Sequence, residues 1–267
     1  MKENPLKVVS PFYNAGKYIE KCINSVKTQK YNNFTHVIVN DNSTDDSHEV
    51  ILKSFQEKLT LKEKNSSCEI YQGDKIIYIN NFVRKGALEN LVYTFENFCN
   101  DEDIICSLDG DDFLMGKKVL QYINAIFNEK NIDFMYGGCS WSDGNACCSR
   151  PYNQETFKNI RKHRGYYLIS QMRNFSGWVF SELKKQDPNL NSLKDKNGNF
   201  YQMTYDVALY IPISEIVGFD KIYHNKKPIY YYNRENPIND DKVNQALQWQ
   251  IHEEIIKKKA FVTTKHK

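Results

Sequence analysis

IICSLDGDD, residues 104–112, joins a short apolar run to an acidic turn. An apolar run of this length that stops at Asp and Gly is typical of a buried strand. Asp109, Asp111 and Asp112 then lie at the carboxyl end of the strand, where open parallel sheets bind ligands. Three carboxylates this close repel one another unless a cation relieves them, and Mg²⁺ and Mn²⁺ prefer such hard oxygen ligands. Taken alone the motif is more often a solvated turn, so its meaning depends on the neighbouring strands.

Two apolar runs nearer the N-terminus also end in polar residues. Residues 6–9 run into SPFYN (10–14), and residues 35–39 run into NDNS (40–43). Between them, the apolar residues of 18–26 recur on one helical face. This alternation predicts βαβ units and a mainly parallel sheet. Because the carboxyl ends of parallel strands meet at one edge, we expect the three polar turns to converge there.

The remaining pattern predicts an α/β chain whose second half is less regular. We expect helices near 45–59, 88–98, 117–128, 165–172 and 205–211, and strands near 76–79, 134–136 and 229–232. Ser43, with Asp46 three residues later, is expected to cap the second helix, and the polar stretch 60–74 is expected to be a loop. The tail 240–259 has the pattern of a charged amphipathic helix.

Composition narrows the class of protein without naming a partner. The chain has 267 residues with 36 Lys and Arg against 33 Asp and Glu, so its charge of +3 does not by itself favour nucleic acid. Its seven cysteines include no CxxC pair, and no apolar run approaches the ~20 residues of a membrane span. No secretion signal is evident at the N-terminus. We therefore expect a cytoplasmic protein without a transmembrane segment, or one peripheral to the cytoplasmic membrane face.

Five segments, in order and spacing, resemble the family 2 glycosyltransferases of GT-A fold. They are Val8–Asn14, Tyr18–Val26, Val39–Asp45, Arg84–Asn90 and Asp109–Asp112. The resemblance is strong over residues 6–115 and looser over 165–235. It implies a Rossmann-like α/β domain with a mainly parallel sheet flanked by helices. Residues 1–115 would bind the nucleotide sugar, 116–238 would carry the acceptor site and catalytic base, and 239–267 would form a helical tail.

The resemblance also implies roles for individual residues. It assigns nucleotide contacts to Pro11, Tyr13, Asn14, Asp41, Arg84 and Asp109, a metal site to Asp111 with Asp109, and to Asp112 either a donor-sugar contact or support of the turn. Asp41 would accept a hydrogen bond from the uracil imide, while Pro11 and Tyr13 shape and stack on the base. Arg84 would neutralise the diphosphate or fix the base edge. Asn40 departs from the family, which often has an acid at that position.

The resemblance places the catalytic base 90 to 100 residues beyond the metal motif. TYDVALY, residues 204–210, is similar to that segment, with Tyr205 in place of the commoner Glu, and makes Asp206 the base. Glu215 is the competing candidate, and Asp206 could also be a helix N-cap. Arg173 and Trp178 are candidates for acceptor contacts, since sugars stack on aromatic rings, although a core tryptophan is nearly as well supported.

Taken together, the sequence predicts an inverting glycosyltransferase. It would move a sugar from a nucleotide-sugar donor, most simply a UDP-sugar, to a hydroxyl acceptor with Mn²⁺ or Mg²⁺. The acceptor stays open among a glycan, a lipid-linked saccharide, a protein and a nucleic-acid base. Two alternatives are a non-catalytic nucleotide-sugar-binding protein and a sugar nucleotidyltransferase, though the latter normally has a Gly-rich loop after the first strand. The C-terminal helix would pack on the same chain or on a second subunit.

Overall fold

The computed structural model describes residues 2–55, 58–142, 149–237 and 240–265. The predicted boundary between the second and third parts, at 238/239, lies outside these residues and stays a prediction. Within the described residues the strands are β1 Leu6–Phe12, β2 Phe34–Asn40, β3 Thr60–Lys64, β4 Cys68–Gly73, β5 Ile76–Asn81, β6 Ile104–Ser107, β7 Phe113–Leu114, β8 Phe134–Tyr136, β9 Cys139–Trp141, β10 Arg173–Ser176, β11 Ile222–His224 and β12 Tyr230–Tyr232. The helices are α1 Ile19–Lys27, α2 Ser47–Phe55, α3 Ala87–Phe98, α4 Val119–Lys130, α5 Gln154–Lys158, α6 Trp178–Gln186, α7 Tyr205–Val217, α8 Asp240–Val243 and α9 Gln245–Ile256.

Nine of the described strands form one sheet in the order β11-β8-β10-β6-β1-β2-β5-β4-β3. β6, β1, β2 and β5 are parallel to their neighbours in that run, as the alternating pattern predicts. β10 is inserted antiparallel between β6 and β8. A second sheet, β7-β12-β9, lies beyond the acidic turn. The carboxyl ends of β1, β2 and β6 therefore share one edge.

Helices cover both faces of the sheet because successive strand residues point to opposite sides. Val8 packs in a core with α1, α2 and α4, whereas Val9 packs in a second core with α3, α6, α7 and α9. The buried residues of α1 are those that the helical spacing predicts: Ile19, Cys22, Ile23 and Val26. The α/β class and flanking helices predicted from the sequence are confirmed.

Three local predictions are wrong. Residues 60–73 form the antiparallel strands β3 and β4 rather than a loop. Residues 165–172 are not a helix; a 3₁₀ turn at Arg164–Tyr166 leads towards β10. The second helix begins at Ser47, and its first turn is held by Asp45, whose carboxylate accepts hydrogen bonds from the Ser47 N–H and hydroxyl at 3.1 and 2.5 Å. The tail is helical as predicted but divides at Asn244, whose side chain caps α9 by accepting from the Leu247 N–H.

Candidate active site

The acidic turn at residues 109–112 is locked into the edge of the sheet. The Leu108 N–H donates to the Val9 carbonyl, and the Gly110 N–H donates to the Pro11 carbonyl at 3.2 Å. A Cβ at Gly110 would lie 2.5 Å from the Cβ of Phe12. This approach of two backbones is why glycine occupies the second position of the turn.

Each carboxylate of the turn accepts a hydrogen bond from a residue beyond position 200. Asp109 Oδ1 accepts from the Tyr205 hydroxyl at 2.6 Å, and Asp111 Oδ2 accepts from the Asn236 amide at 2.6 Å. Asp112, only 1% exposed, accepts at Oδ2 from the Tyr230 hydroxyl at 2.5 Å and at Oδ1 from the Asn233 N–H at 2.7 Å. Of the two roles left open for Asp112, its burial favours support of the turn over contact with a donor sugar.

The turn concentrates negative charge that the protein does not neutralise with a cation at Asp111. Burial, with the neighbouring Asp109, raises the pKa of Asp111 to about 6, and burial also raises the pKa of Asp109 and of Asp112. The described ion pairs include none to Asp111. No three His, Cys, Asp or Glu side chains in the described ranges form a ready-made metal site. The turn therefore fits a hard divalent cation that takes part of its ligands from the substrate.

Asp41 lies at the end of β2 and organises the loop before α3. It is 4% exposed and accepts hydrogen bonds from the backbone N–H groups of Lys85 (2.8 Å) and Gly86 (3.0 Å) and from the Asn90 amide (2.8 Å). The Arg84 Nε lies 3.6 Å from Oδ2. An ionised carboxylate has about four acceptor positions. The three hydrogen bonds occupy three of them, which leaves one for a further N–H.

The turn after β1 faces Asp41 with an aromatic ring. The Arg84 guanidinium lies 3.8 Å from the centre of the Tyr13 ring and is itself 60% exposed. Asn14 connects this turn to the turn after β2, since its side-chain amide oxygen accepts a hydrogen bond from the Thr44 N–H at 2.8 Å. Pro11 is buried in β1 and accepts through its carbonyl from the acidic turn. The nucleotide candidates therefore lie together at the sheet edge, with Asn14 and Pro11 engaged in holding turns.

Asp206 lies in the first turn of α7, directly after the tyrosine that donates to Asp109. Its carboxylate is 29% exposed, and the Arg173 Nη2 lies 3.2 Å from Oδ2. Among the described residues no other hydrogen bond reaches this carboxylate. Glu215 lies nine residues further along the same helix, about 13 Å away by helix rise. It is paired through both oxygens with Arg161, at 2.6 and 2.9 Å, so geometry favours Asp206 over Glu215.

The structure contradicts one acceptor candidate. Trp178 is 6% exposed in the core, and its indole N–H donates to Asp133 at 2.9 Å, so it is not an acceptor platform.

Three residues to which the sequence analysis assigns no role in the site hold the acidic turn: Tyr205, Tyr230 and Asn236. The replacement of Glu by Tyr before Asp206 is a visible signal for Tyr205. For Tyr230 the signal is weak, because the aromatic run 230–232 is also typical of an ordinary strand and its partner Asp112 lies 118 residues away.

In the described part of the chain, no helix has both the length and the apolar character needed to span a bilayer.

Comparisons with known proteins agree with this geometry. The sequence model of Glycosyl transferase family 2 matches residues 7–257. Glycosyltransferase GlyA of Streptococcus pneumoniae serotype 4 is 26% identical over 187 residues, a match that spans 65% of this chain and 23% of GlyA. The chain thus spans about a quarter of that relative's length.

Solved structures show the same fold at low identity. S. aureus TarS in complex with UDP-GlcNAc has a TM-score of 0.55 and 17% identity, covering 87% of this chain and 59% of that chain. Mannosyltransferase PcManGT from Pyrobaculum calidifontis, in complex with GDP-Man and Mn²⁺, has a TM-score of 0.60 and 13% identity, covering 97% and 66%. The predicted family and the predicted GT-A fold are confirmed.

Proposed function

We propose a donor, a metal and a catalytic base for this chain, which belongs to glycosyl transferase family 2. The chain transfers a sugar from a UDP-sugar to a hydroxyl acceptor with inversion at the anomeric carbon. The observation that carries this proposal is the first turn of α7, where Tyr205 bonds to Asp109 at 2.6 Å and Asp206 follows directly. One hydrogen bond thereby connects the segment that carries the candidate base with the turn that carries the candidate metal ligands.

Asp206 acts as the general base. Arg173 holds Oδ2 at 3.2 Å, which orients the carboxylate and leaves Oδ1 to accept a proton. Oδ1 takes the proton of the acceptor hydroxyl as that oxygen forms a bond to the anomeric carbon. The bond from that carbon to the nucleoside diphosphate breaks on the opposite face, and the electron pair leaves with the diphosphate. Attack from the opposite face inverts the configuration.

Asp111, with Asp109, holds Mn²⁺ or Mg²⁺. The raised pKa values of Asp109 and Asp111 support this choice, because burial and, for Asp111, the neighbouring Asp109 disfavour their charged forms, which a bound cation would stabilise. The cation, when bound, supplies positive charge that offsets the charge developing on the leaving diphosphate. Tyr205 keeps Asp109 oriented towards the same site. The Mn²⁺ in the PcManGT complex supports a divalent cation in this fold.

The base-recognition proposal rests on Asp41. Its remaining acceptor position suits a single N–H, such as the uracil or thymine imide, better than the two adjacent N–H donors of guanine. Cytosine offers no ring N–H at that position. Arg84, which lies over Tyr13, then has its exposed side turned to the base edge or the diphosphate.

The test is a calorimetric titration of the protein with UDP, GDP, TDP and CDP, each with and without Mn²⁺. We expect Mn²⁺-dependent binding of UDP, and loss of that dependence in Asp111→Ala. Asp206→Asn should keep UDP binding and lose sugar transfer, whereas the exposed Asp74→Asn should change neither. Transfer by Asp206→Asn at the parent rate would remove Asp206 from the mechanism. Preference for GDP would overturn the proposed donor and the role of Asp41.

The same experiment separates the two alternatives predicted from the sequence. A non-catalytic binding protein would bind UDP without releasing it from a UDP-sugar, with or without acceptor. A sugar nucleotidyltransferase would require a triphosphate, and the turn after β1 has Tyr13 and Asn14 where such enzymes normally place a glycine-rich loop.

A further inference from the structure

Four of the buried polar atoms that have no hydrogen-bond partner among the described residues lie near one another in the C-terminal half of the chain. They are Arg164 Nη1, Tyr167 Oη, Arg173 Nε and His252 Nε2. Buried donors in native proteins are nearly always paired with protein, water or ligand. Arg173 and His252 are each only 4% exposed, so bulk solvent does not satisfy them. We call these four side chains the donor cluster.

Three members of the donor cluster, Arg173, Tyr167 and His252, lie near Asp206, and Arg164 adjoins them. Arg173 contacts the Asp206 carboxylate at 3.2 Å through its other nitrogen, Nη2. Tyr167 and Arg164 belong to one tight turn, in which the Tyr167 N–H donates to the Arg164 carbonyl at 3.0 Å. The rings of Tyr167 and His252 meet edge to face with centroids 6.2 Å apart. The negative charge of Asp206 acts to raise the pKa of both the Tyr167 and the His252 side chains, as expected for groups that lie near it.

Helix α9 forms the outer wall of the cluster. Trp249 and His252 are three residues apart on α9 and share a helix face. The Arg164 guanidinium lies 3.5 Å from the centre of the Trp249 ring, which is 46% exposed. The start of α7 meets the same helix, since the Thr204 hydroxyl lies 3.4 Å from the Gln248 carbonyl. The cluster thus runs from the buried side of Asp206 to the protein surface at Trp249.

The chemistry of the cluster calls for an anionic ligand rich in acceptors. Arg173 is paired with Asp206, whereas the described ion pairs include none to Arg164, so one guanidinium charge has no carboxylate partner among them. Burial lowers the pKa of His252, so the imidazole is neutral near pH 7 and contributes one N–H. A phosphate group offers three or four acceptor oxygens to these donors, whereas a carboxylate offers two.

We propose that the donor cluster binds a phosphate group carried by the acceptor, next to the hydroxyl that Asp206 deprotonates. This inference rests on the proposed function and names the class of its acceptor: a phosphorylated polyol or sugar. A terminal phosphate, as in a monoester, and an internal one, as in a chain of diesters, share the unesterified oxygens that the donor cluster recognises.

The test uses the full chain saturated with UDP and Mn²⁺, so that the site of the donor diphosphate is already occupied. Glycerol 3-phosphate serves as the monoester probe, glycerophosphoglycerol as the diester probe and glycerol as the neutral control. All are titrated calorimetrically at equal ionic strength. Arg164→Gln is compared with Lys162→Gln, because Lys162 is an exposed cation two residues away.

We expect at least one phosphate ester to bind and glycerol not to bind. Loss of a charge-assisted hydrogen bond should weaken that binding about tenfold or more in Arg164→Gln, with no change in Lys162→Gln. UDP binding should be the same in both variants, so a failure of UDP to bind would count against the proposed function separately. Equal binding of glycerol and its phosphates, no binding of either ester, or equal losses in the two variants would overturn the inference.

Discussion

Replacement of Tyr230 by Phe removes one hydroxyl from the centre of the acidic turn and keeps the ring. That hydroxyl donates to Asp112 at 2.5 Å and accepts from the Asp109 N–H at 3.2 Å. The variant leaves a buried carboxyl with one donor fewer and a backbone N–H without its acceptor. Because an ordinary hydrogen bond contributes about 0.5–1.5 kcal/mol and an unpaired buried donor costs about 1–3 kcal/mol, we expect a loss of about 2–4 kcal/mol.

The neighbouring Tyr231→Phe variant is the matched control. The Tyr231 ring stacks on Phe113 with centroids 4.2 Å apart, and its hydroxyl makes no hydrogen bond within the described part of the chain. Urea unfolding should show the loss for Tyr230→Phe and a change within about 0.5 kcal/mol for Tyr231→Phe. Mn²⁺-dependent UDP binding should weaken only in the first. Equal unfolding free energies for the two variants would refute the role given to the Tyr230 hydroxyl.

Three further predictions concern β2 and the acidic turn. Burial lowers the pKa of His36 to about 3. Between about pH 6.5 and pH 3 the unfolded chain therefore binds a proton that the folded chain does not bind. The unfolding free energy should fall by about 1.4 kcal/mol for each unit by which the pH is lowered in that range. Urea titrations of the parent and His36→Gln should differ by that slope, and parallel pH profiles would count against it. Gly110→Ala should lose about 1–3 kcal/mol in the same assay, because its Cβ meets Phe12 at 2.5 Å; an unchanged midpoint would show that the turn shifts freely. Mn²⁺ should raise the melting temperature at pH 7.5, where Asp111, with its pKa of about 6, is ionised, and less at pH 5, where it is protonated; an equal effect at both pH values would argue against binding at this turn.

The sequence predicts the parts of the fold that depend on local periodicity. β1, β2 and β6 are buried runs with clear ends, and topology alone brings their polar turns to one edge. The β3 strand has the opposite character: TLKEK, residues 60–64, is exposed along its whole length at the sheet edge. An edge strand without a buried face has no apolar alternation to detect, which is why the sequence predicts a loop there.

The residues of the candidate site also differ in how readily the sequence predicts them. Asp41, Asp109, Asp111 and Asp206 are recognisable because the chemistry of each is carried by its own side chain and by nearby residues. The hydroxyl partners of the turn are harder to recognise, since Tyr205 and Tyr230 reach it across 96 and 118 residues. Trp178 shows the converse error: glycine beside an aromatic residue suggested a sugar platform, but Gly177 is required because its Cβ would lie 2.0 Å from the Asn100 carbonyl oxygen.

The substitution at position 205 links the two halves of the site. A glutamate there would bring a second carboxylate towards the buried Asp109, which like-charge repulsion permits only with a proton or cation between them. Tyr205 instead donates to Asp109 at 2.6 Å without adding charge. Because Asp206 is the next residue on α7, its position follows that of Asp109 through this hydroxyl. The proposed base is thus positioned by the acidic turn on one side and by Arg173 on the other.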